Sequence, residues 1–156
     1  MPCDSKLVQN RELLGNAVKA AIFAVEGASF VMNQYQAKNI INLAVTGHGG
    51  AGKTSLAEAM LYLSGVSDRR GKVGDGNTVC DYDPEEIRRK ASISAAVAPL
   101  EWKNKKINLL DAPGLFDFEG GTCEAMRAAD TVLVVVSGRD GVAVGTEKAF
   151  AAAEKN

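Results

Sequence analysis

Residues 40 to 63 read IINLAVTGHGGAGKTSLAEAMLYL, and this stretch decides the fold. Ile40 to Val45 form a short apolar run with β-branched members and a turn signal directly behind it, the pattern of a strand buried in a parallel sheet. Lys53 to Leu63 reads as a helix. Between them Gly47, His48, Gly49, Gly50, Ala51, Gly52, Lys53 and Thr54 satisfy Gly-x-x-x-x-Gly-Lys-[Ser/Thr] in full, and in the strand-to-helix context that this motif requires. Glycines let the backbone take positive φ angles and turn successive N–H groups toward phosphate oxygens. The helix that follows presents the positive end of its dipole to the same anion. Lys53 is expected to reach the β and γ phosphates of a nucleotide, Thr54 to ligate Mg²⁺ through its hydroxyl, and Gly47 through Ser55 to surround the phosphates. His48, the sole histidine, is read as a packing or hydrogen-bonding element of the loop, because a general base must first have the geometry for proton transfer.

Working outward, apolar residues at Leu7, Leu14, Val18, Ala21, Ile22 and Val25 fall at helical spacing, so residues 1–31 read as an N-terminal helical extension, with a boundary near residue 31. Residues 65–91 hold glycines, charges and Pro84 with little periodicity, and a long irregular stretch inside a compact domain is usually functional. Its charged run, Asp81, Asp83, Glu85, Glu86, Arg88, Arg89 and Lys90, reads as solvated and mobile. Ser92 to Trp102 and Lys106 to Leu110 flank the turn-like Lys103-Asn104-Lys105 as a hairpin. The polar loop DAPGLFDFEGG follows, then a brief helix over Glu124 to Ala129. Thr131 to Val136 is apolar on both faces and is expected at the centre of the sheet, and Thr146 to Lys155 is helical. Strands alternating with helices predict an α/β fold for residues 32–156, a P-loop NTPase-type, mainly parallel sheet with flanking helices.

Composition bounds the partners. Eighteen basic and nineteen acidic residues leave a formal charge of -1, so no overall basic field exists to hold DNA or other nucleic acid. Cys3, Cys80 and Cys123 are odd in number and contain no CxxC pair, which fits a reducing, cytoplasmic setting better than a disulfide framework. The early apolar stretch Ala20 to Val25 is far short of the ~20 residues that span a bilayer, so no membrane association is expected.

Asp111 to Gly114 reads DAPG at the end of an apolar strand. Alone, Asp-x-x-Gly is a turn. Downstream of a P-loop, its aspartate can hold Mg²⁺ through water and its glycine N–H can meet the γ phosphate, which makes it a nucleotide-switch signal. With this element included, residues 32–155 resemble the GTP-binding domain of elongation factor G and its paralogues. The matching pieces are KNIINLAVTGHGGAGKTSLAEAMLYLSG, RGKVGDGNTVCDYDPEEIRRKASIS, INLLDAPGLFDF and VLVVVSGRDGVAVGTEKAF. The resemblance implies GTP or GDP and Mg²⁺ as ligands, and the ribosome as partner of the full-length factor. It also implies a first switch over residues 66–95 and a second over 111–121, with Ser92 at the family's metal-binding threonine and Thr54 and Asp111 completing the metal set.

Two positions depart from that pattern. Leu115 stands where translation GTPases place a histidine that positions the attacking water, and Gly50 stands where the related factors commonly carry aspartate. Nucleotide binding is therefore a firmer expectation than hydrolysis, and a non-hydrolysing binding module or a P-loop ATPase or kinase outside translation are the competing readings. The guanine-reading Asn-Lys-x-Asp segment is expected after Asn156.

Overall fold

The computed structural model describes residues 35–154. The expected helix of residues 1–31 lies outside them. Among the described residues are four strands, β1 (Ile40–Gly47), β2 (Ala96–Trp102), β3 (Lys105–Asp111) and β4 (Thr131–Val135), together with four α-helices, α1 (Lys53–Leu63), α2 (Pro84–Arg89), α3 (Glu119–Ala128) and α4 (Val144–Ala153). The sheet order is β2-β3-β1-β4. β1 pairs in parallel with both β3 and β4, and β2 adds antiparallel to β3, so the sheet is mixed with two of its three pairings parallel.

Alternation along the strands divides the core. Val45 and Leu109 face one side with Ala57 and Leu61 of α1, while Ala44, Leu110 and Ala112 face the other side with Ala125 of α3. Burying both faces is what makes the central strands read as continuous apolar runs. The β2–β3 turn is a two-residue connection with Lys103 and Asn104 both at positive φ, which matches the twist of the flanking strands. Pro99 is accommodated because β2 lies at an edge of the sheet.

Three points refine the expectations. The run Thr131 to Val136 forms β4 at an edge among the described strands, and β1 is the described strand flanked on both sides by parallel neighbours. Apolarity on both faces reports helices packed above and below, which an edge strand can also have. The second helix-side segment is longer than the Glu124 to Ala129 expected: α3 begins at Glu119 and takes in Gly120 and Gly121, residues whose low helix propensity hides the start. The third concerns residues 65–91, which contain α2, a six-residue helix with Asp83 as N-cap and Pro84 in its first turn. The Asp83 carboxylate accepts from the Glu85 N–H at 2.7 Å, and the Glu86 carboxylate accepts from the Asp83 N–H at 3.3 Å, a reciprocal cap.

Candidate nucleotide site

The chain changes direction at the carboxyl ends of β1 and β3, where the helix after β1 packs on one face of the sheet and the helix after β3 on the other. Such a reversal leaves a crevice above the strand ends, the usual ligand position in open α/β sheets. Gly47 ends β1 at φ 141°, and a Cβ there would strike the Val135 carbonyl of β4. Gly50 and Gly52 take φ 76° and 97° with no atom within 4 Å of where a Cβ would be, so the loop backbone borders open space. The loop is closed by the Ala51 N–H donating to the His48 carbonyl at 3.2 Å.

Lys53 is 6% exposed and donates from Nζ to the His48 carbonyl at 3.0 Å. A Cβ at Gly114 would collide with Nζ, so glycine is what lets the lysine lie against the end of the DAPG segment. Burial pushes the Lys53 ammonium below its ordinary pKa, and the nearby Asp111 and Asp81 carboxylates oppose that. Ser92 Oγ donates to Asp81 Oδ1 at 2.7 Å and lies within hydrogen-bond distance of Thr54 Oγ1, at 3.2 Å. Asp111, at the end of β3, is buried with neither carboxylate oxygen in a good hydrogen bond. Burial pushes its carboxyl up to about 6; Asp81 and Glu58 add to the rise, and Thr54 and Lys53 pull against it.

A cavity of about 230 Å³ opens here, bordered by Gly49, Gly50, Gly52, Lys53, Thr54 and Ser55 from one side and by Ser92, Gly114 and Leu115 from the other. The structure thus brings together Lys53, Thr54, Ser92, Asp111 and Gly114 from separate stretches of sequence. His48 contributes its carbonyl, while its ring turns to Phe116 (centroids 5.9 Å apart) and its Nδ1 is buried against Gly145. Gly47 and Ala51 shape the loop without lining the cavity. Leu115 is 43% exposed at the cavity's edge.

Asp81 also lines the cavity, and two buried carboxylates, Glu58 and Glu86, brace the segments around it. Asp81 is 3% exposed, and its second carboxylate oxygen is unpartnered. Glu58, on the inner face of α1, is fully buried and accepts from the Val79 and Cys80 N–H groups at 2.6 and 3.1 Å. Glu86 of α2 accepts from the Ile93 and Ser94 N–H groups at 2.9 and 3.1 Å. The run from Asp81 to Lys90 is therefore only partly solvated: Asp81 and Glu86 point inward and tie the segment down. A signal for Glu86 is present in the sequence, since Asp83-Pro84-Glu85-Glu86 has the Asp-x-x-Glu spacing of a helix cap.

The donors fit a hard divalent cation, which takes oxygen ligands. Among the described residues no group of three or more His, Cys, Asp and Glu side chains could hold a metal unaided. A cation here would depend on the Thr54 and Ser92 hydroxyls and the unpartnered carboxylate oxygens of Asp111 and Asp81, with phosphate oxygens completing its shell.

Comparison with known proteins agrees with this geometry. Residues 38–156 match the family described as the elongation factor Tu GTP binding domain. An elongation factor G-like protein of Mycobacterium tuberculosis is 40% identical over 119 residues, covering 76% of this chain and 17% of that protein. Elongation factor G 2 of Borreliella burgdorferi is 37% identical over 117 residues, covering 75% of this chain and 18% of its own length. A crystal structure of a protein from Thermus thermophilus superposes with a TM-score of 0.72 at 46% identity, covering 74% of this chain and 18% of that one. The chain thus spans less than a fifth of the length of these relatives. It belongs to the translation GTPases, in the family of the elongation factor Tu GTP-binding domain, and its relatives there include elongation factor G-like proteins.

Proposed function

We propose that this chain binds guanine nucleotide with Mg²⁺ and supplies the phosphate-holding part of an elongation factor G-like translation factor that acts on the ribosome in the cytoplasm. The observation that carries the reading is the meeting of Lys53, Thr54, Ser92 and Gly114 at one cavity, with Asp111 buried beside Thr54. Lys53 holds phosphate oxygens, and the backbone N–H groups from Gly49 to Ser55 cradle them at the start of α1. The Thr54 and Ser92 hydroxyls are the metal's side-chain ligands, with Asp111 and Asp81 as the negative groups behind them. When bound, Mg²⁺ neutralises phosphate charge and polarises the phosphoryl oxygens. The family description and the relatives' names support guanine as the base. No helix among the described residues is long and apolar enough to cross a membrane.

Hydrolysis of GTP is slow in this reading. The side chain at position 115 is a leucine, and the one histidine of the chain turns its ring to Phe116, so neither offers a nitrogen to a water at the cavity. Titration of a fluorescent GTP analogue with Mg²⁺ tests the binding: Lys53→Ala should weaken it severely, because the buried phosphate charge loses its main side-chain partner. Equal affinities for the two proteins would contradict the assignment. Competition with ATP distinguishes the base.

A further inference from the structure

We propose that Lys90 is a second phosphate-binding cation, one that makes the site prefer a nucleoside triphosphate over a diphosphate. The proposal rests on the nucleotide reading above and adds to it a residue and a specificity. Lys90 borders the same cavity as Lys53, Thr54 and Ser92. It caps the C-terminus of α2 with a left-handed backbone, φ 55° and ψ 39°, and its N–H donates to the Glu86 carbonyl, which fixes where its side chain leaves the chain.

The neighbouring cations are engaged elsewhere. Arg88 and Arg89 both bind the Glu85 carboxylate, at 2.6 Å in each case, on the exposed side of α2. Lys90 enters none of the ion pairs found among the described residues and is free to extend its amino group toward an anion.

Which phosphate it meets follows from the chain path. Ser92 is two residues on, and its hydroxyl is fixed to the Thr54 hydroxyl and the Asp81 carboxylate, oxygens expected at the metal. Two residues span at most about 7 Å, so the Lys90 backbone stays close to the metal end of the cavity. A Mg²⁺-nucleotide held by Lys53, Thr54 and Ser92 would place its outermost phosphate at this end of the cavity, where the Lys90 side chain could reach it.

The test uses the 156-residue chain with Mg²⁺ and two probes, a non-hydrolysable GTP analogue and GDP. Lys90→Gly removes the amino group while relieving the backbone strain, so it folds at least as well as the unaltered protein. It should weaken the triphosphate by about tenfold or more and leave GDP within about twofold, whereas Lys90→Arg should keep the preference. Lys53→Ala should weaken both. An unchanged triphosphate-to-diphosphate ratio in Lys90→Gly, with Lys53→Ala still impaired, overturns the role of Lys90 and leaves the nucleotide site standing. Failure of the unaltered protein to bind either probe overturns both.

Discussion

The place where a Cβ on Gly49 would sit is 3.0 Å from Cδ2 of Leu115, so the leucine of the DAPGL segment lies against the phosphate loop in room that a side chain at 49 would fill. The two positions are sterically interlocked. Gly49→Val should overpack this contact and cost about 1–3 kcal/mol of stability. Adding Leu115→Ala should return part of that loss, giving a measurable coupling in a denaturant-unfolding double-mutant cycle. Additive effects would show that the loops do not touch in solution.

The same contact bears on catalysis. Leucine at 115 offers water neither a donor nor an acceptor, and Leu115→His should raise single-turnover hydrolysis of Mg²⁺-GTP by about 10²-fold, the low end of what a positioned acid–base group supplies. Phosphate release, measured with and without ribosomes, reads the change. Rapid hydrolysis by the unaltered protein would mean that another group positions the water.

Asp111 ties stability to pH. Its ordinary carboxyl pKa of 3.8 rises to about 6 in the folded protein, so between those values the folded state holds more proton than the unfolded one. The penalty is absent below pH 3.8, grows as pH rises, and is complete above about pH 6. Without Mg²⁺, Asp111→Asn should therefore be more stable than the unaltered protein at pH 7.5, by about 2–3 kcal/mol at most, with the advantage vanishing near pH 3.5. Thermal unfolding at the two pH values checks the sign, and saturating Mg²⁺-nucleotide should erase the gain.

Glu58 can be separated from its charge. Glu58→Ala leaves the buried Cys80 N–H and the part-buried Val79 N–H without their acceptor and should cost about 1–3 kcal/mol. Glu58→Gln keeps an oxygen there and should cost less. Hydrogen exchange at the two amides gives a local readout: protection should fall sharply in the alanine variant and survive in the glutamine one.

Much of this arrangement is legible in the sequence, for identifiable reasons. The spans of β1 and α1 follow from an apolar run, a glycine loop and a helix start that sit side by side, so local rules suffice to place Lys53 and Thr54. Asp111 is legible because a strand carries it to the same sheet edge. The inward turn of Asp81 and Glu58 is not, since each gets its partners from a segment at least eleven residues away, and composition near them shows only charge. Sheet order is hard to read for a similar reason: period and apolarity report what covers a strand's faces, while the neighbours of β4 depend on pairings distant in sequence.

The buried acceptors Glu58 and Glu86 hold four backbone amides of the loop between α1 and β2. A loop fastened to the protein's own carboxylates has given up most of its freedom before any ligand arrives, so the entropy of ordering it is not charged against association. Calorimetry should accordingly find a small heat-capacity change on nucleotide binding, without the large negative value that accompanies coupled folding. The protein would then recognise its ligand mainly by rearranging a few hydroxyls and carboxylates around Thr54, with the surrounding backbone already in place.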